Sequence, residues 1–207
     1  MKIALLGSGA LSHALATRLS QSPHDLRIAS REPSDRELPD PLAAVPLVTY
    51  REAAAWADAV VLALPLTALA EALPPLRGAL AGKVVLDPVN GIAADWSPAD
   101  LGPDASVAAR VARLLPESRV VKAFNMIFAD ALGRPASAGA PLAVFAAGDD
   151  PAAVAVATDL IRACGLDAVA VAGLANAAYL EAMAHLNIAV ALAGGGTAAG
   201  FAYLRLD

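Results

Sequence analysis

"KIALLGSGALSHALATRL", residues 2–19, admits two readings with opposite consequences. A lysine after the first Met, an apolar run and small residues around Ala14 and Ala16 have the form of a secretory signal peptide. The same letters have the form of the strand, glycine turn and helix that open a dinucleotide-binding unit. Gly7-Ser8-Gly9 interrupts the apolar core that an export signal needs. A second apolar strand, "LRIAS" (26–30), follows at the distance a strand–helix–strand unit requires. The phosphate-cradle reading prevails.

Composition agrees with a packed enzyme-sized core. The 207 residues are 57% apolar and 17% charged, enough for one domain or one domain with an appended subdomain. A net charge of −5 with no lysine or arginine cluster excludes a nucleic-acid footprint. The single cysteine, Cys164, has no internal disulfide partner, as expected in a reducing cytoplasm, and reads as a small buried hydrophobe. His13, His24 and His185 lie far apart without ligand spacing, so no metal site is expected. Residues 182–204 carry no formal charge, but His185, Asn187 and Gly194-Gly195-Gly196 interrupt them. They read as a helix buried at a core or subunit interface rather than one inserted in a membrane.

Apolar runs at 2–7, 26–30, 47–50, 58–65, 82–90, 119–125, 142–149 and 167–173 predict eight strands, with helical patterns between most of them. That alternation predicts a Rossmann-type, doubly wound α/β fold with a mostly parallel sheet and a small C-terminal helical extension. The expected division is a nucleotide-binding domain over 1–173, with a helix and tail over 174–207 that complete an acceptor site or a dimer interface.

Gly7 and Gly9 match the first two glycines of G-x-G-x-x-G, and Ser12 replaces the third, where a small side chain suffices. The expected pyrophosphate site is therefore Gly7, Ser8, Gly9, Ala10, Leu11 and Ser12. At the end of the second strand, NAD-binding units place an acid for the ribose hydroxyls. Here Ser30-Arg31 stand instead, and a hydroxyl with a planar guanidinium suits the extra phosphate of NADP. Arg36 is a further candidate, and the competing reading is a solvated "SREPSDRE" loop.

Later strand ends supply a family resemblance. "LALP" (62–65), "GKVVLDPVNG" (82–91), "VVKAFN" (120–125), "AAGDD" (146–150) and "LEAMAHLNIAVA" (180–191) occur in the order seen in the NADPH-dependent F420 reductases. The chain resembles this F420H2:NADP oxidoreductase family over nearly its whole length, and the cytosolic domains of the STEAP metalloreductases belong to the same superfamily. The resemblance implies hydride transfer between NADP(H) and a deazaflavin (F420) or an ordinary flavin, FMN or FAD. It also implies a nicotinamide and acceptor pocket of Pro65, Leu66, Asn90, Ala123, Phe124 and Asn125. Met126, and Pro88-Val89-Asn90-Gly91 in place of the more usual "VTNP", depart from the family on the acceptor side.

Transfer of hydride between two stacked rings needs alignment and no obligatory protein acid or base, so no catalytic residue is assigned. Lys122, interior to an apolar strand, is expected to reach past the strand end to a polar group. Asn90 and Asn125 either bond a carboxamide or cap loops, and Phe124 is either core or a ring-packing surface. Glu181 and His185, one helical turn apart, read as a structural pair at a homodimer interface, and His13 as an exposed side chain. Two other functions fit: a non-catalytic NADP-binding sensor, and a pyrroline-carboxylate-type imine reductase, against which the short C-terminal region counts.

Overall fold

The structure, a computed structural model, describes residues 1–35, 37–134 and 141–206. Its eight strands are β1 (Lys2–Leu6), β2 (Asp25–Ser30), β3 (Leu47–Thr49), β4 (Ala59–Leu62), β5 (Val84–Asp87), β6 (Arg119–Lys122), β7 (Ala143–Gly148) and β8 (Asp167–Ala172). They form one sheet in the order β3-β2-β1-β4-β5-β6-β7-β8. Every pairing is parallel except β6 with β7, so the last two strands run opposite to the other six. The expected doubly wound, mostly parallel sheet is what forms.

Both sheet faces are covered because strand side chains alternate between them. On β1, Ile3 and Leu5 pack with α1 (Ala10–Leu19) and α7 (Pro151–Ala163), whereas Ala4 and Leu6 enter the opposite core. That second core holds α2 (Tyr50–Trp56), α3 (Leu69–Ala72), α4 (Arg77–Leu80) and α5 (Val107–Leu114). Residues 66–80, which join β4 to β5, do not form one continuous helix. Residues Leu66–Ala68 form a 3-10 turn ahead of α3, and Pro74 starts a second 3-10 turn before α4, because proline cannot continue the α-helical ladder. A short α6 (Ala129–Leu132) follows β6.

The C-terminal helix, α8 (Ala177–Val190), is only half a core helix. Leu180 and Ala184 pack against Met126 and Ala147, while Tyr179, Leu186 and Val190 face outward and are at least half exposed. The helix with its flanking turns, Leu174–Gly195, is long and apolar enough to cross a membrane by length and composition, and a third of it is buried within this fold. Cys164 lies in the core at 1% exposure, where burial pushes its thiol up to about 12 and leaves it an unreactive hydrophobe.

Strand order reverses between β1, which leads outward to β2 and β3, and β4, which leads the other way. The carboxyl ends of these two strands open a crevice at the switch point, where such sheets bind ligands.

Candidate functional site in the switch-point crevice

The glycine turn sits at the mouth of this crevice. Gly7 has φ +116°, and its amide donates to the Ala29 carbonyl at 2.9 Å, tying the end of β1 to β2. A Cβ here would lie 2.0 Å from the Ala63 carbonyl oxygen, so only glycine fits between β1 and β4. Gly9 caps α1 with extended backbone and no side-chain hydrogen bond, and a Cβ there would meet nothing within 4 Å. That open space lies at the N-terminus of α1, where unpaired first-turn amides and the positive end of the helix dipole favour an anion. Ser8, half-buried, and Ala10, exposed, flank the cradle. Ser12 does not line it. Its side chain is fully buried and its Oγ donates back to the Gly7 carbonyl at 2.5 Å, so it shapes the turn from beneath.

Beside the turn, a cleft of about 410 Å³ is lined by Gly7, Ser8 and Gly9 together with Ser30, Arg31, Glu32, Tyr50, Ala63, Leu64 and Pro65. It continues into a second cleft of about 340 Å³, where Thr49, Arg51, Ala68 and Glu71 join Ser30, Arg31 and Pro65. Ser30 and Arg31 therefore stand next to the phosphate turn as the sequence suggests. Arg51, which the sequence did not flag, adds a second guanidinium from the start of α2. Its signal was legible: it follows the carboxyl end of β3, the neighbour of β2 in the sheet. Glu32 and Glu71 also line these clefts, and Arg36 lies outside the described residues. Pro65, assigned by resemblance to the acceptor pocket, instead lines both of these clefts. Leu66 packs on the core beneath α2 and α3.

A third cavity, about 220 Å³, opens beyond the ends of β5 and β6. Asn90, Phe124 and Asn125 line it, joined by Leu11, Pro88, Ile92, Trp96, Met126, Ile127, Ala184, Asn187 and Ile188. The Leu11 side chain thus lines this pocket. Ala123 is wholly buried in the core and reaches no cavity surface. The lining is almost entirely apolar, and none of these side chains titrates. The asparagine amides bind one another and nearby backbone carbonyls. Asn90 Nδ2 donates to the Asn125 carbonyl at 2.7 Å, Asn125 Nδ2 donates to Asn90 Oδ1 and to the Leu180 carbonyl, each at 2.9 Å, and Asn187 Nδ2 donates to the Met126 carbonyl at 2.9 Å. These contacts join the loops after β5 and β6 to each other and to α8. Asn125 Oδ1 is buried without a protein partner.

Under the pocket floor lies a buried charge network. Lys122, fully buried, reaches Asp87 Oδ2 at 3.0 Å and Glu181 Oε1 at 2.7 Å and also donates to the Val89 carbonyl. Glu181 in turn accepts from the Val107 amide at 2.9 Å and the Ala108 amide at 3.4 Å, at the N-terminus of α5. Burial raises the Asp87 carboxyl, with Lys122 and the Val89 amide pulling the other way. Lys122 reaches past its strand end as expected. The Glu181–His185 pair does not form: Glu181 is committed to Lys122 and α5, and His185 is half-buried elsewhere on α8. His13 is also half-buried, with Nε2 enclosed and unpartnered beside a cavity on the far side of α1.

Residues 2–91 match the model of the family described as NADP oxidoreductase coenzyme F420-dependent. The chain is 31% identical over 182 residues to rat Metalloreductase STEAP3, covering 88% of this chain and 36% of that protein, so it spans about a third of the curated relative. A crystal structure from Arthrobacter sp. FB24, provisionally named an F420-dependent NADP-reductase, superposes with TM-score 0.85 at 29% identity, covering 99% of this chain and 100% of that one. The pyrroline-5-carboxylate reductase of Coxiella burnetii shares the fold, with TM-score 0.61 at 19% identity, over 92% of this chain and 66% of that one. Over residues 2–91 the chain is thus similar to the NADP oxidoreductase coenzyme F420-dependent family.

Proposed function

We propose that this protein is an NADP(H)-dependent oxidoreductase that passes hydride between the nicotinamide and a deazaflavin (F420) or flavin acceptor. The observation that carries the reading is an alignment along one crevice. An uncapped glycine turn lies between an arginine-flanked cleft and an apolar pocket without titratable side chains. The empty space over Gly9 fits a pyrophosphate pressed against the α1 amides. Ser30, Arg31 and Arg51 fit the 2′-phosphate of NADP, and the apolar pocket fits a ring pair from which water is excluded.

NADP(H) held by the α1 amides and by Ser30, Arg31 and Arg51 would supply the hydride chemistry, and the proton that accompanies the hydride would be exchanged with bulk solvent outside that step. The chain's own residues then bind and align. Arg31 and Arg51 hold the phosphate end by charge-assisted bonds. Asn90, Asn125 and Asn187 fix the backbone of the β5 and β6 ends, and Ile92, Ile127 and Ile188 keep water from the rings. Rings held in this way need no protein acid or base.

Arg31→Ala is expected to weaken NADPH binding about 10- to 100-fold, the worth of one charge-assisted bond, and to leave NADH binding nearly unchanged. Equal losses for both nucleotides would remove the phosphate assignment. Activity is tested by following nicotinamide absorbance with NADPH and F420, FMN, FAD or riboflavin; oxidation with none of them refutes the acceptor class.

The exposed apolar side of α8 is the proposed interface of a homodimer. The cytoplasm, where a lone buried thiol stays reduced, is the proposed compartment.

A further inference from the structure

Among the described residues, two that are not glycine hold a left-handed backbone: Trp96 at φ +68° and Phe124 at φ +63°. Both are aromatic, and both line the apolar pocket at the ends of β5 and β6. Bulky side chains are disfavoured in that conformation, and strain of this kind persists where the surroundings over-determine it, as at ligand sites.

Trp96 is the more telling of the two. The loop after β5 folds into a small hairpin: Ile92 bridges Pro98, the Ala93 amide donates to the Ser97 carbonyl at 2.9 Å, and the Trp96 amide donates to the Ala93 carbonyl at 3.0 Å. Asp95 Oδ1 accepts from both the amide and the hydroxyl of Ser97, at 3.1 and 2.6 Å, and pins the turn. A left-handed residue at this point of a three-residue hairpin loop is ordinarily glycine. Here it is a tryptophan whose surface is 57% exposed, so its ring recovers little of the strain by packing in the core. The pocket it borders holds only about 220 Å³, below the ~300–1,000 Å³ of sites that enclose a whole ligand. A planar ring seated there keeps one part open, beside the indole.

We propose that Trp96 is a specificity-determining residue that stacks on a planar, multi-ring hydride acceptor and selects it over small aliphatic carbonyls or imines. This rests on the hydride-transfer reading for the choice of ligand, while the stacking itself is a binding claim that can be measured without turnover.

The decisive variant is Trp96→Gly, since glycine takes φ +68° without strain and the fold should hold or gain stability. With NADP+-loaded protein, calorimetric titration with F420, FMN and riboflavin should show affinity for the preferred ring falling roughly tenfold, with the NADPH Kd unchanged. The chain has two tryptophans, so Trp56→Phe leaves Trp96 as the sole reporter, and its fluorescence should quench as the ring binds. Rings binding Trp96→Gly as tightly as the wild type, or no ring binding the wild type at all, would overturn the proposal. Quenching without hydride transfer would keep the stacking role and remove the oxidoreductase reading instead.

Discussion

Gly7 and Gly9 stand two residues apart in one motif, yet different forces require them. Gly7 is demanded by the protein itself: its φ of +116° and the Ala63 carbonyl 2.0 Å from a would-be Cβ leave no room for a side chain. Gly7→Ala should therefore cost at least ~2 kcal/mol of stability by denaturant titration, combining left-handed strain with a backbone clash. Gly9 has no such constraint within the protein, and the proposed pyrophosphate is what would exclude a side chain there. Gly9→Ala should cost ~1 kcal/mol or less, as a weaker N-cap, while NADPH affinity falls at least tenfold. If the two variants lose stability equally, or Gly9→Ala binds NADPH normally, the cradle assignment is wrong. Ser12 belongs with Gly7, because its hydroxyl supports the turn from the buried side.

At the scale of elements, two charge groups decide how the crevice is held. Lys122 joins β6 to β5 through Asp87 and to α8 through Glu181, while Glu181 caps α5. Replacing the cation alone strands two carboxylates in the core, and Lys122→Met should destabilise the fold by ~3–5 kcal/mol. A loss under ~1 kcal/mol in urea unfolding would mean the network is dispensable. Asp104 anchors the other side. It bonds Arg113 at 2.7 Å and Arg110 at 3.1 Å, and Arg110 also donates to the Leu101 carbonyl at 2.6 Å, so α5 grips the loop that carries the Trp96 hairpin. The hydrogen bond from Arg113, with Arg110 assisting, holds the Asp104 carboxyl at about 2, below its ordinary 3.8. A carboxylate depressed on folding adds stability that is complete above the unfolded value and fades as pH falls from about 4 to about 2. Asp104→Asn should thus lower Tm by about 2 °C at neutral pH, and the difference should vanish near pH 2; a gap that persists in acid would refute the linkage.

For the whole molecule, the outward face of α8 is the feature the fold leaves open. Tyr179, Leu186 and Val190 recur at helical spacing and are 70%, 56% and 50% exposed, beside Leu192 at 67%. A second copy covering that stripe would bury it, and Leu186→Asp should convert the expected homodimer to monomer by analytical ultracentrifugation. A wild-type monomer at working concentration would refute the interface. The sheet, its doubly wound order and the glycine turn were legible in sequence because apolar runs, helical spacing and turn glycines are local signals. The acceptor side was legible only in part. Asn90, Phe124 and Asn125 were found at their strand ends, whereas Pro65 and Ala123 belonged to other surroundings. Arg51, Trp96 and Asn187 were not assigned to the site, although Arg51 follows a strand end and Asn187 lies on the helix expected to complete it, because no motif marks them and their side chains meet the crevice only through packing.

The residues alone determined the strand–turn–helix cradle, the Ser30-Arg31 pair beside it and the polarity of Lys122 at a strand end, each set by chemistry within a few positions. Only tertiary structure decided which side chains share a cavity. It turned Ser12 inward and Leu11 outward, took Glu181 from His185 and gave it to Lys122, and brought Trp96 to the pocket of Phe124. The physical reason is range: hydrogen-bonded turns and hydrophobic periodicity act along the chain, whereas a site is the meeting of strand ends, loops and a distant helix that only the packed sheet brings together.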